Sequence, residues 1–217
     1  MKLYGYWRSS ATYRVRIALA LKGVTYDYEP VDLLAGEQKT PAYLDRNPTG
    51  LVPSLETDDG DVIVQSMAII DYLEEVFPAP SLFPADPIDK AQSRAMALSL
   101  VSEAQPFMNL RVQNYVKNDA GLGAVGLSDW LNKWVGGTMK AVETLAADYY
   151  AKRGGAFLAG DAPTVADCCL VPQMFGAMRF GVDVSAMPRL NEVFEHCNTL
   201  EAFEKAHPKN QPDAPDA

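Results

Sequence analysis

All of the strand-like segments in this chain lie before residue 65, and a proline-dense run then separates them from a half that reads as helix alone. The run Phe77-Pro78-Ala79-Pro80 continues to Pro84 and Pro87. Proline has a fixed φ and no backbone N–H, so a helix or a sheet ladder does not run through such a stretch. Before it, Lys2 to Tyr6 is apolar-rich and reads as a buried strand, and Arg8-Ser9-Ser10 as a polar turn. Val15, Ala18, Leu19 and Leu21 then recur at helical spacing up to Gly23. Tyr26 to Leu33 is a second strand, and Gly36 to Leu44 a loop with one short helix. Asn47-Pro48-Thr49-Gly50 is a turn, and Val52 to Glu56 and Asp61 to Val64 form a hairpin across Asp58-Asp59-Gly60. Ser66 opens a helix that buries Ile69, Ile70 and Leu73.

This order predicts an α/β unit with a parallel start and an antiparallel finish over 1–78, a linker at 79–87, and an all-helical domain over 88–210. Helices are expected at Ile88 to Asn118, Leu127 to Lys152, Val165 to Phe180, and as a pair within 190–206. Thr164-Val165-Ala166-Asp167 carries a capping-box pattern with a shortened carboxylate. The tail, 211–217, is polar and proline-spaced and is expected to be disordered.

Composition removes several functions. With 28 acidic against 19 basic residues the net charge is −9, so nucleic acid and anionic membranes are not expected partners. An anionic ligand must be drawn by individual arginines or helix N-termini. Three cysteines, Cys168, Cys169 and Cys197, suit a reducing cytoplasm rather than a disulfide framework. With two histidines and no Cys-x-x-Cys, no metal site is expected. No apolar run approaches the ~20 residues of a membrane span, and no leader-like segment precedes the first strand.

Three constellations remain. Arg8-Ser9-Ser10 stands at the mouth of the first helix, where unpaired N–H groups and the dipole stabilise an anion. A serine hydroxyl there can donate to a thiolate and lower its pKa from ~8.5. Position 11 is alanine, so the sulfur has to arrive on a ligand. The plainer reading is a helix cap. Second, Pro53 is compatible with a cis bond that would leave the Val52 backbone free to pair with a peptide-like ligand. Gln65-Ser66 opens the next helix, where Ser66 either holds a carboxylate or simply caps. Third, Gln105 and Asn109 interrupt an apolar helical stripe around Pro106, and their partners are either protein groups or a ligand. Arg179 and Arg8 are candidate cations for a substrate carboxylate.

The run Ser9-Ser10-Ala11-Thr12-Tyr13-Arg14-Val15-Arg16-Ile17-Ala18-Leu19 resembles the opening motif of zeta-class glutathione transferases, the family of the maleylacetoacetate and maleylpyruvate isomerases. Asn47-Pro48, Val52-Pro53, the segment from Gln65 to Glu75, the segment from Pro163 to Gln173, and the ending His207-Pro208 with Gln211-Pro212-Asp213 resemble it too. The resemblance implies a thioredoxin-like N-terminal domain, a helical C-terminal domain, a homodimer, and glutathione as coenzyme. It implies that Ser9, with Ser10 and Arg8, serves the chemistry. Ser10, Gln38, Val52, Gln65, Ser66, Gln105 and Asn109 would hold the tripeptide, and Arg8 and Arg179 the substrate carboxylate. The implied activity is cis–trans isomerisation of a maleyl-type dicarbonyl acid in aromatic amino acid catabolism. The alternatives are conjugation or dehalogenation of small electrophilic acids, and glutathione binding without catalysis. Ala11 departs from the family's usual Ser-Ser-Cys, and Met108 stands where some relatives have glutamine.

Overall fold

The computed structural model describes residues 1–215, which divide into two units: Met1–Ser81 joined by the C-terminal segment from Leu200 onward, and Leu82–Thr199. In the first unit the chain runs β1 (Lys2–Gly5), α1 (Ser10–Leu21), β2 (Asp27–Pro30), α2 (Pro41–Arg46), β3 (Ser54–Glu56), β4 (Val62–Val64) and α3 (Ser66–Val76). The sheet order is β2-β1-β3-β4. Strands β1 and β2 are parallel, and the other pairs are antiparallel, so the expected switch of direction is present.

Burial explains why α1 is helical without a marked polar face. All eight residues from Thr12 to Leu19 are buried, because the helix packs on α3 and on a short helix near the C-terminus, Glu201–Ala206. Gly5 ends β1 beneath it. A Cβ at that position would meet Thr12 Cγ2 at 2.3 Å, so the close approach of α1 to the strand excludes any side chain there.

The second unit contains α4 (Pro87–Leu98), α5 (Leu110–Asn114), α6 (Gly123–Leu131), α7 (Gly137–Arg153), α8 (Val165–Arg179) and α9 (Pro188–Cys197). The Asp86 carboxylate accepts the N–H groups of Ile88 and Asp89 and starts α4. The single helix expected over 88–118 is interrupted. Pro106 contributes no N–H, the chain tightens through 105–108, and Asn109 turns extended (ψ 140°) before α5 begins. The helix expected from Leu127 starts earlier, at Gly123, and passes through wide turns at 132–136 into α7. The Thr164/Asp167 capping box forms. Asp167 also accepts Leu158 N–H at 2.9 Å, and burial pushes its carboxyl pKa up despite these bonds. Cys168, Cys169 and Cys197 are fully buried and form no disulfide.

Two expectations about the C-terminus are corrected. First, the boundaries expected from sequence put α10 (Glu201–Ala206) in the helical domain, but it belongs to the first unit. Its Phe203 is fully buried, and the Ala206 carbonyl accepts from Arg16 Nε at 3.0 Å. Second, the tail expected to be disordered is packed over its described residues. Gln211 and Ala214 are buried, and Asp213 accepts two hydrogen bonds. Residues 216–217 lie outside the described residues. The proline-dense linker is tied down as well. Lys22 Nζ donates to the carbonyls of Phe77 and Pro80 and pairs with Glu74 at 2.7 Å.

Candidate active site

The sheet register gathers the first unit's candidate residues at one end. Gly5 stands opposite Pro30, Tyr4 opposite Ser54, and Ser54 opposite Val64. The segments that leave β1, β2 and β4 and the one that enters β3 therefore lie at the same edge. Those segments carry Arg8-Ser9-Ser10, Gln38, Gln65-Ser66 and Val52. A ligand site at the carboxyl ends of parallel strands is the general expectation for such sheets.

At the helix mouth both readings of the serine turn are compatible. Ser9 is the N-cap of α1, extended in backbone, and its Oγ accepts the Thr12 N–H at 3.2 Å. A capping oxygen uses a lone pair and keeps its proton, so the Ser9 hydroxyl can still donate. The N–H groups of Ser10 and Ala11 open the helix, with no carbonyl one turn earlier to receive them. The Arg8 guanidinium lies over the Trp7 ring, 4.9 Å from its centroid. A small anion placed at this mouth meets helix N–H donors, a hydroxyl and a nearby cation.

The other three positions of this unit add polar groups to the same edge. Gln65 has φ 72°, and among the described residues it is the one non-glycine with positive φ. That backbone bends the chain sharply into α3 and places Ser66 as the first helical residue. Ser66 is buried, and its Oγ accepts from Arg14 Nη1 at 2.8 Å. Its own proton must therefore go to another acceptor. Gln38 lies on a short turn at 37–39, beside Gly50, with its Oε1 enclosed and without a hydrogen-bond partner. The Val52–Pro53 bond is cis, and Val52 is buried.

The remaining candidates are in the second unit. Gln105 is partly exposed at the start of the tight turn. Asn109 is partly exposed and caps α5, its Oδ1 accepting Arg111 N–H at 3.1 Å. Arg179 ends α8, exposed, with its guanidinium 4.0 Å from the Phe180 ring centroid.

Sequence reasoning missed three enclosed charges. Arg14 and Arg16 are each 1% exposed, far from the usual place of arginine. Burial pulls the Arg16 guanidinium pKa down. Asp213 accepts from the Trp7 backbone. Two arginines flanking Val15 inside an apolar helix were the available signal. Asp213 was marked only as part of the Gln211-Pro212-Asp213 resemblance, which gave it no role.

Among the described residues no group of three or more His, Cys, Asp or Glu side chains could hold a metal ion. No helix among them is long and apolar enough to cross a membrane.

Comparison with known proteins places the chain. Residues 8–76 match the model of the glutathione S-transferase N-terminal domain, and residues 135–201 that of the C-terminal domain. A maleylacetoacetate isomerase of Pseudomonas aeruginosa is 45% identical over 219 residues, covering 100% of both chains. The holo structure of a maleylpyruvate isomerase, a bacterial zeta-class glutathione S-transferase, superposes with a TM-score of 0.94 at 40% identity, covering 99% of this chain and 100% of that one. A maleylacetoacetate isomerase from Methylobacterium extorquens AM1, with bound malonate and GSH, gives 0.93 at 38% identity, with 99% and 100% coverage. With its two domain matches and its full-length relatives, the chain belongs to the glutathione transferases, in the zeta class of the maleylacetoacetate and maleylpyruvate isomerases.

Proposed function

We propose that this protein is a glutathione-dependent cis–trans isomerase of a maleyl-type dicarbonyl acid, either maleylacetoacetate or maleylpyruvate. The observation that carries this reading is a helix mouth built for an anion but with alanine at position 11, so that a thiol must come from a bound molecule. Full-length relatives with that activity in their names support it. When bound, glutathione would supply a thiolate: its addition opens the cis C=C to a single bond that can rotate, and its expulsion breaks the C–S bond, leaving the trans product and returning the coenzyme unchanged.

The chain's residues fit that coenzyme. The enclosed, unpartnered Gln38 Oε1 calls for an N–H donor such as a peptide or ammonium group. Ser66 Oγ accepts from Arg14 through one lone pair and keeps its proton, which it can donate to a carboxylate. Ser10, Gln65 and the Val52 backbone complete the tripeptide site in the first unit, and the family resemblance adds Gln105 and Asn109 as glutathione-binding residues. Ser9 donates to the sulfur, and α1's N-terminal N–H groups hold its negative charge. Arg8 and Arg179 bind substrate carboxylates and stabilise negative charge that develops on the dicarbonyl. A strong base is not needed.

The test is an isomerase assay on both maleyl substrates with a parallel count of free thiol. Conversion with thiol unchanged supports the proposal. Ala11 favours one second reading, conjugation or dehalogenation of small electrophilic acids, because a smaller side chain beside Ser9 and Ser10 widens the acceptor end. Stoichiometric loss of thiol would select it. No conversion of either maleyl acid by glutathione-loaded protein would end the isomerase reading. We further assign a homodimer, to be checked by sedimentation, and a cytoplasmic location, in keeping with three buried cysteines outside any disulfide.

A further inference from the structure

We propose that Asp213 is a positioning residue for the thiol-activating loop, and that the C-terminal segment works as a clasp holding that loop in place. The proposal rests on the glutathione reading and deepens it.

Trp7 is held at both ends of its backbone by charged side chains. Its N–H donates to Asp213 Oδ2 at 2.8 Å, and its carbonyl accepts from Arg16 Nη2 at 2.8 Å. The same Asp213 oxygen accepts the Tyr28 hydroxyl at 3.2 Å. Arg16 in turn donates through Nε to the Ala206 carbonyl. One carboxylate and one guanidinium thus join α1, β2 and the C-terminal segment to a single residue between β1 and α1. Hydrogen bonds to charged groups are the stronger kind.

The two residues after Trp7 belong to the reacting centre. Arg8 stacks its guanidinium on the Trp7 ring, and Ser9 comes next, its N–H donating to the Tyr6 carbonyl at 3.0 Å. Displacing Trp7 therefore moves both the arginine and the hydroxyl assigned to the chemistry. The carboxylate is itself seated from both sides. Gln211 Nε2 donates to the carbonyls of Lys205 and His207, and Ala214 is buried beyond it. The other oxygen, Asp213 Oδ1, is enclosed without a hydrogen-bond partner. A carboxylate serving only as a surface solvating group would not be enclosed this way.

Hydrogen exchange and glutathione binding in the full-length chain test this, comparing wild type, Asp213→Ala and Asp213→Asn. Asp213→Ala is expected to speed exchange in the peptide spanning 7–12 by about tenfold while leaving β3 and β4 unchanged. It should also raise both the KM for glutathione and the pKa of the bound thiol, read by thiolate absorbance. Asp213→Asn keeps a carbonyl acceptor and should recover most of each effect. Unchanged exchange at 7–12 would overturn the clasp, as would exchange rising evenly through the first unit with only the Tm lowered. Accelerated exchange with unaltered KM and thiol pKa would reduce Asp213 to a purely structural residue. A wild type that fails to bind glutathione would overturn the functional reading instead, while the exchange comparison still decides the clasp.

Discussion

Arg14 Nη1 donates to Ser66 Oγ across 2.8 Å of buried space, joining the first helix of the glutathione transferase sheet domain to the mouth of its third. The pair orients the Ser66 hydroxyl: its proton points away from the guanidinium it accepts from and stays available to an anion. Ser66→Ala should therefore raise the KM for glutathione by about tenfold or more, as expected for a hydrogen bond to a charged group. It also leaves a buried guanidinium N–H without that acceptor, which should cost about 1–3 kcal/mol of stability. Pairing it with Arg14→Met should recover part of that stability without restoring KM. Glutathione titration and denaturant melts on the two variants and the wild type measure this.

Ser9 has two separable duties. As N-cap it accepts from Thr12, a bond whose loss typically costs about 1 kcal/mol. In the proposed function it also donates to the coenzyme sulfur and lowers the thiol pKa. Ser9→Ala should show a small loss of Tm together with a fall in turnover of about tenfold to a hundredfold. The thiolate absorbance curve should shift to higher pH. An unshifted curve would move the donor role to another hydroxyl, such as Ser10.

Gly5→Ala tests the packing that sets the helix mouth. The new Cβ would come within 2.3 Å of Thr12 Cγ2, a contact that neither β1 nor α1 can leave without shifting. A destabilisation of about 1–3 kcal/mol is expected. Thr12→Ser removes the methyl in the way, and combined with Gly5→Ala it should restore most of the loss in thermal melts.

His207 gives the C-terminal segment a pH dependence. Burial, helped by the charge of Lys209, lowers its pKa below 6.5, and its Nδ1 accepts the Lys209 N–H at 3.1 Å. Since the folded state prefers the neutral ring and the unfolded chain does not, the contribution to stability is full above about pH 6.5. It is lost as pH falls through the lowered value. Exchange in residues 206–213 should rise on acidification through that window, and His207→Gln should flatten the response.

The two-part organisation, the succession of strands and helices along the first unit and the helix mouth were legible in the sequence because each has a local cause. Proline density ends one unit, alternation and turn residues mark the strands, and Ser9 and Thr164 cap helices by bonds that span three residues or fewer. The break at Pro106 was legible as a kink. That the chain turns extended at Asn109 to start a new helix was not, because it depends on what the neighbouring turns pack against.

Arg14, Arg16 and Asp213 stand apart from this. Each is placed by a partner far along the chain: Ser66 for Arg14, Ala206 for Arg16 and Trp7 for Asp213. By itself the sequence determined most of the local elements and the capped helix mouth at Ser9. Tertiary structure alone decided which charges are buried and that the C-terminal segment folds back onto the loop before Ser9. Local propensity acts over a few residues, whereas burying a charge depends on groups that only the folded chain brings together.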